Sequence, residues 1–424
     1  MDYRNDYMKK TMNLLSNRYN NDGAPAVDLS EVQKEYIRRF NEKCLSGEYS
    51  FRDWECECGN GDLEVIAQKD RYGLPVETVI CRNCGLIMTS PCLDDKSNNS
   101  FYDGEYHYIY RAETSPSEAR FEERKKEAGT IIGFIQKHTG IDTGSVLEIG
   151  CADGGNIAAF AEKGYKATGL DLSHTYVEYG KERGLDLHCC DASSFVRKGQ
   201  LFDIVVLNHV LEHFTDLKRE LNTIAKLMTD TGVLFVAVPG VKYLTFGAYK
   251  RDFLLMLQNA HIYNFTKDTL CQTMKKYGFD SIFANEAVYA LFKKGTPKSS
   301  FSDHYTDTIR YLKCVEDSAG DVDTLMIHRV DCELSGCKKG DVLLYGTVCE
   351  LDALVQRLPD LSSIRGFFYT DTKTPEEAVE YMKCNGIHEL VLIDVEKDQQ
   401  LVQRITDLIK GSNIRFMSVY RELF

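Results

Sequence analysis

The sequence predicts an α/β chain built on a parallel, doubly wound sheet, and three observations carry that prediction. Between residues 111 and 280, apolar runs of strand length alternate with helix-forming stretches, the pattern of successive βαβ units. The first run, 146–149, enters a glycine-containing turn and then a helix-forming stretch, 156–163. Acidic residues stand at or just after the ends of the predicted strands. A shorter alternation over 340–424 predicts a second, smaller α/β domain.

Five segments follow. Residues 1–50 read as mostly helical and polar, with Ser30 placed to cap a helix over 31–43. Residues 51–110 are rich in Cys, aromatics, Asn and Asp and read as a metal-binding module. Residues 111–280 form the main α/β domain, 281–339 a connecting segment, and 340–424 the carboxy-terminal domain. In the last, strands are expected at 342–345, 366–369 and 390–393, with helices at 350–357, 375–386 and 397–410.

Composition excludes several classes. The 424 residues are 43% hydrophobic and 27% charged, which rules out a disordered chain. The net charge of −13 opposes general nucleic-acid binding. No apolar run approaches the roughly 18–20 residues that span a bilayer. Residues 1–22 lack the apolar core of a secretory signal, and fifteen cysteines, an odd number, suit a reducing cytoplasm better than a disulfide framework.

The main domain carries the clearest chemistry. Gly150 and Gly154 flank the turn after the first strand, where glycine permits close approach of a ligand and positive φ. The next helix presents unpaired N–H groups to that ligand. Asp171 ends the second strand, where a carboxylate can accept ribose hydroxyls. Taken alone, it reads equally as a helix cap. Asp191 follows the third strand, and Asn208 follows the fourth in a string ending Val210-Leu-Glu-His213.

In this order, Glu148-x-Gly150-x-x-x-Gly154, Gly169-Leu-Asp171, Asp191 and Val210-Leu-Glu-His213 resemble the class I S-adenosylmethionine-dependent methyltransferases, whose fold is Rossmann-like. The resemblance implies that Glu148, Gly150, Gly154, Asp171, Asp191 and Asn208 line the cofactor pocket, with Asp171 on the ribose and Asp191 by the adenine. Ala152 departs from the family, which commonly has glycine there.

Cys56-x-Cys58-Gly59 and Cys81-x-x-Cys84-Gly85 place two thiol pairs in tight turns, a donor set suited to a structural, tetrahedral Zn²⁺. Cys44 and Cys92 are alternative ligands, because the first pair has a one-residue gap. The same amino-terminal arrangement resembles sugar C-methyltransferases, which carry such a module, an aromatic connector and a carboxy-terminal Rossmann-like domain. The connector here, 101–110, includes Tyr102 and Tyr106 as acceptor-pocket candidates.

After the fifth strand, Ala260-His261-Ile-Tyr263-Asn-Phe265-Thr266 is similar to that family's Glu-His-x-x-x-Phe-Ser/Thr string. The resemblance implies that His261 is a general base, while Ala260 removes the neighbouring carboxylate. The plainer reading is that His261 packs the loop. His209 and His213 are lesser pocket candidates. The expected activity is methyl transfer to a small polar acceptor, a nucleotide-linked sugar or an amino-bearing glycan component. RNA methylation and a non-catalytic scaffold in a glycan assembly complex are the alternatives. The carboxy-terminal domain keeps only Gly346 of a phosphate loop, so it either shapes the acceptor pocket, mediates a homodimer, or packs without a ligand.

Overall fold

The computed structural model describes residues 9–53, 55–111, 115–319, 330–331, 334–347, 351, 354–355, 358, 360–370, 372–393 and 399–418. The chain divides into two compact units, Met1–Tyr243 with Phe253–Leu312, and Leu244–Asp252 with Lys313–Phe424. Among the described residues, no helix is long and apolar enough to cross a membrane.

In the first unit, residues 9–50 are less helical than expected. β1 (Lys9–Met12) precedes α1 (Glu31–Ser46). Ser30 caps α1 as predicted: its Oγ accepts from Gln33 N at 3.3 Å, and Gln33 Oε1 accepts from Ser30 N at 3.0 Å. β1 pairs in parallel with β2 (Asp62–Lys69), which continues antiparallel to β3 (Pro75–Cys81) and then β4 (Ile87–Thr89). The fifth strand of this sheet comes from much later in the chain: Tyr263–Asn264 pairs antiparallel with β4. The connector Tyr102–Arg111 is π-helical, a wide winding often found at functional sites.

The larger sheet contains β5 (Ser145–Ile149), β6 (Lys166–Asp171), β7 (Asp186–Cys189), β8 (Phe202–Asn208), β9 (Met228–Ala237), β10 (Phe279–Ala284) and β11 (Tyr289–Lys294). Its spatial order is β10-β11-β9-β8-β5-β6-β7, with β11 antiparallel to both neighbours. α2 (Glu118–Thr139) precedes β5, while α3 (Gly155–Glu162), α4 (His174–Lys181), α5 (Ala192–Val196) and α6 (Leu217–Leu227) follow β5, β6, β7 and β8. A Cβ on Gly155 would lie 2.7 Å from Phe121 O, so glycine lets α3 close against α2. α7 (Lys267–Lys276) precedes β10.

Two sequence-based boundaries differ from the structure. The main domain was expected to end at 280, but β10 and β11 complete its sheet and take residues 281–294 out of the connecting segment. Residues 51–110 also share a core with the main domain. Leu63, Val79, Cys84 and Met88 lie in one apolar cluster with Leu234, Ile262, Phe265 and Leu270.

The second unit holds a four-stranded parallel sheet, β12 (Val342–Gly346), β13 (Ile364–Tyr369), β14 (Glu389–Ile393) and β15 (Arg415–Ser418), in the order β13-β12-β14-β15. α8 (Pro375–Asn385) and α9 (Gln399–Ile409) occupy the predicted positions. The helix expected over 350–357 lies largely outside the described residues.

Candidate active site

The predicted cofactor residues stand at or just beyond the carboxyl ends of β5, β6, β7 and β8. Glu148 is buried on β5; its Oε1 accepts from Asn156 Nδ2 at 2.6 Å, while Oε2 is buried without a hydrogen-bond partner. Burial pushes its carboxyl up to about 8. Gly150 (φ +76°) and Gly154 (φ +83°) adopt left-handed conformations. Ala152 does so as well, at φ +48°, which explains the family's glycine there. Asp171 stitches two loops together: Oδ2 accepts from Ala152 N and Oδ1 from Ser173 N, both at 2.8 Å. Asp191 is exposed and caps α5 through Ser194 N at 2.7 Å. Asn208 is half-buried at the end of β8.

Sequence reasoning missed the supports of this loop. Asp153, fully buried, pairs with Arg124 of α2 and accepts from Gly155 N at 3.2 Å. Arg124 comes from a polar helix face, and only the close α2–α3 packing makes it a partner.

A second group lies just beyond β8. A Cβ on Gly150 would meet Val210 Cγ2 at 2.5 Å, so the Gly150 turn touches the strand-end turn that carries His209, Glu212 and His213. His209 holds a left-handed φ of +56° there. Glu212 is 1% exposed, and neither carboxylate oxygen has a hydrogen-bond partner. His209 Nδ1 lies 3.5 Å from Glu212 Oε1 and His213 Nε2 lies 3.9 Å from it. Burial opposes ionisation of Glu212, yet the surrounding histidines, His209 first, hold its carboxyl at about 2.

The expected acceptor-side residues meet at this group. His213 Nδ1 lies 2.8 Å from both Tyr102 Oη and Ala260 O. Tyr102 and Tyr106 have ring centroids 4.4 Å apart, and the His213 and His261 rings are 4.9 Å apart. His261 is 5% exposed with Nδ1 buried and unpartnered. Burial, then the neighbouring His213, lowers it to about 3, so it is neutral at pH 7 but a weak base. Glu212 had no sequence signal beyond its place in the Val210-Leu-Glu-His213 string.

The sheet order, with one antiparallel strand inserted beside the last parallel one, agrees with the match of residues 118–282 to a family described as "Methyltransferase domain". This segment is a methyltransferase domain. The chain is 30% identical over 112 residues to the ubiquinone biosynthesis O-methyltransferase of Idiomarina loihiensis, covering 24% of this chain and 46% of that protein. It is 28% identical over 102 residues to the corresponding protein of Bartonella tribocorum, covering 23% and 41%. It thus spans less than half the length of these curated relatives. Among solved structures, the sugar N-methyltransferase KedS8 from Streptoalloteichus sp. is 21% identical, covering 30% of this chain and 55% of that one, with a TM-score of 0.25.

Outside the methyltransferase domain, Cys56, Cys58, Cys81 and Cys84 bring their sulfurs within 4.8 Å of one another. Cys56 and Cys84 are 3.4 Å apart, and Cys58 and Cys81 are 3.5 Å apart. Tetrahedral zinc with Zn–S bonds of about 2.3 Å needs sulfurs roughly 3.8 Å apart, so the donor set fits the metal. Gly59 N and Gly85 N close each turn on Cys56 O and Cys81 O, at 2.8 and 2.9 Å. Cys44 and Cys92 lie outside this group, and burial pushes their thiols up to about 12 and about 11. Glu57, between two of the cysteines, accepts from Tyr263 Oη at 3.0 Å, Lys276 Nζ at 2.8 Å and Tyr277 Oη. The one-residue gap in the first cysteine pair is thus filled by a link to the methyltransferase domain.

Proposed function

We propose that the methyltransferase domain binds S-adenosylmethionine and methylates a small polar acceptor, a nucleotide-linked sugar or an amino-bearing glycan component. The observation that carries this reading is the contact of Val210 with Gly150, which joins the cofactor loop to the Tyr102, Tyr106, His213 and His261 group. The residues fit the cofactor: Glu148 Oε2 is a buried polar atom lacking a hydrogen-bond partner, and the cofactor carries an amino group and ribose hydroxyls able to pair with it. Glu148, Gly150, Gly154, Asp171, Asp191 and Asn208 would hold it. When bound, it supplies a sulfonium-activated methyl group.

The chain's own task is positioning and proton removal. Tyr102 and Tyr106 wall the acceptor, and the His213–His261 pair is where its proton would leave, with His261 as the candidate base. The four cysteines hold zinc in a structural role. The module they fold supports the acceptor loop through Glu57 and the Tyr263–Asn264 strand.

Calorimetric titration with S-adenosylmethionine tests the reading. Asp171→Ala removes hydrogen bonds of roughly 1.5–3 kcal/mol each when charge-assisted and frees the Ala152 and Ser173 amides. Affinity should fall at least about tenfold. No binding by the wild-type chain, or unchanged affinity in the variant, would overturn the assignment.

A further inference from the structure

We infer that Glu212, His213 and His261 form a second metal site, for a divalent first-row cation held by two imidazole nitrogens and one carboxylate oxygen. One ligand atom from each residue lies within 4.8 Å of the other two. Ligand bonds of about 2.1 Å place donor atoms roughly 3 to 4 Å apart, so closure on a cation needs only a small contraction.

Three independent features ask for a cation there. First, a carboxylate buried to 1% exposure that accepts no hydrogen bond, with the nearest imidazoles, of His209 and His213, standing 3.5 and 3.9 Å from Oε1, is costly, and buried charges are normally closely paired or bound to metal. Second, His261 Nδ1 is buried and unpartnered beside it. Third, Ala260 O can only accept, so the 2.8 Å contact places a proton on His213 Nδ1. A metal-binding imidazole usually donates its other nitrogen to a carbonyl in this way. His213 Nε2 then faces Glu212 Oε1 at 3.9 Å, an arrangement a cation between them satisfies.

Two histidines and one carboxylate suit Mn²⁺, Fe²⁺ or Zn²⁺ and leave coordination positions open. The site stands on this geometry, while its use rests on the methyltransferase reading. There it gives His261 a ligand's role in place of a proton acceptor's. It also narrows the acceptor to one presenting two neighbouring oxygens, vicinal hydroxyls or a hydroxyketone, whose deprotonated form the cation stabilises as the proton passes to water.

The test titrates the full chain with Mn²⁺, which disfavours thiolate sites, and follows free Mn²⁺ by electron paramagnetic resonance. One Mn²⁺ per chain is expected. Glu212→Gln should weaken binding beyond the roughly 10–100-fold lost with an outer-shell partner, while Glu178→Gln, which removes a carboxylate paired with Lys181 on α4, should not. If Glu212→Gln fails to fold, His213→Gln carries the same expectation. No Mn²⁺ bound by the wild-type chain, or affinity unchanged in a folded variant, overturns the site. S-adenosylmethionine titration of the same samples reads the methyltransferase assignment separately: cofactor binding without Mn²⁺ binding removes the metal site alone.

Discussion

Thr89 Oγ1 donates a 2.8 Å hydrogen bond to the backbone carbonyl of His261, 172 residues later in the chain. Thr89 N also donates to Ile262 O at 2.9 Å, and Asn259 N donates to Asp70 Oδ2 at 3.0 Å. The loop bearing His261 is therefore held by the amino-terminal sheet.

Thr89→Val keeps the side-chain shape and the strand pairing but orphans a buried carbonyl. It should cost about 1–3 kcal/mol of stability in urea unfolding. Turnover should fall while affinity for S-adenosylmethionine stays near wild type. An equal loss in cofactor affinity would mean that the bond supports the whole fold rather than this loop.

With His261 as the base, its replacement by Ala should reduce turnover by about a hundred- to ten-thousandfold, the range spanned by acid–base side chains; with His261 as a metal ligand, Mn²⁺ affinity should fall together with turnover. Cofactor affinity should remain nearly intact, because Glu148, Asp171 and Asp191 sit on other strand ends. Full activity would leave His261 only its packing role.

Glu148 makes apo-protein stability sensitive to pH. Its folded pKa is raised to about 8 from 4.5. Between these values the native state keeps a proton that the unfolded chain has released, so stability is full below about 4.5 and declines as pH rises toward 8. In cofactor-free protein, Glu148→Gln should lose less stability than wild type between pH 5.5 and 8, as read by thermal unfolding at both pH values. Parallel curves would show that Glu148 does not titrate in this window.

Removing zinc should unfold the cysteine turns, since metal binding and local folding are coupled. About one zinc per chain is expected at this site by elemental analysis. Chelation should lower the melting temperature and, through Glu57 and Tyr263, diminish turnover. A metal-free chain that melts as the native one does would remove the zinc assignment.

The strand ends proposed to hold the cofactor were legible because their signals are local. Gly150, Gly154 and Asp171 each lie within a few residues of the strand end they mark, and the backbone conformation there demands those residue types. The edge of the same sheet was not legible. β10 buries mainly Phe279 and carries a register shift between Ser281 and Phe283, so strict alternation is lost. The group proposed for the acceptor was half legible. Tyr102, Tyr106 and His261 could be named, but Glu212 acquires meaning only when β4 carries the 260–264 loop to the end of β8, a pairing that no sequence pattern records.

The strand Tyr263–Asn264, lent by the methyltransferase domain to the amino-terminal sheet, sets what can be exchanged between related proteins. A chimera joined near residue 110 would graft a foreign sheet edge onto this chain's own loop, mismatching Met88 with Tyr263 and Ile87 with Asn264. The natural cassette is discontinuous: residues 51–110 must travel with 257–266. Diversification of the acceptor specificity in such a protein therefore requires matched changes at two sites separated by more than a hundred residues, a constraint that favours their inheritance as a pair.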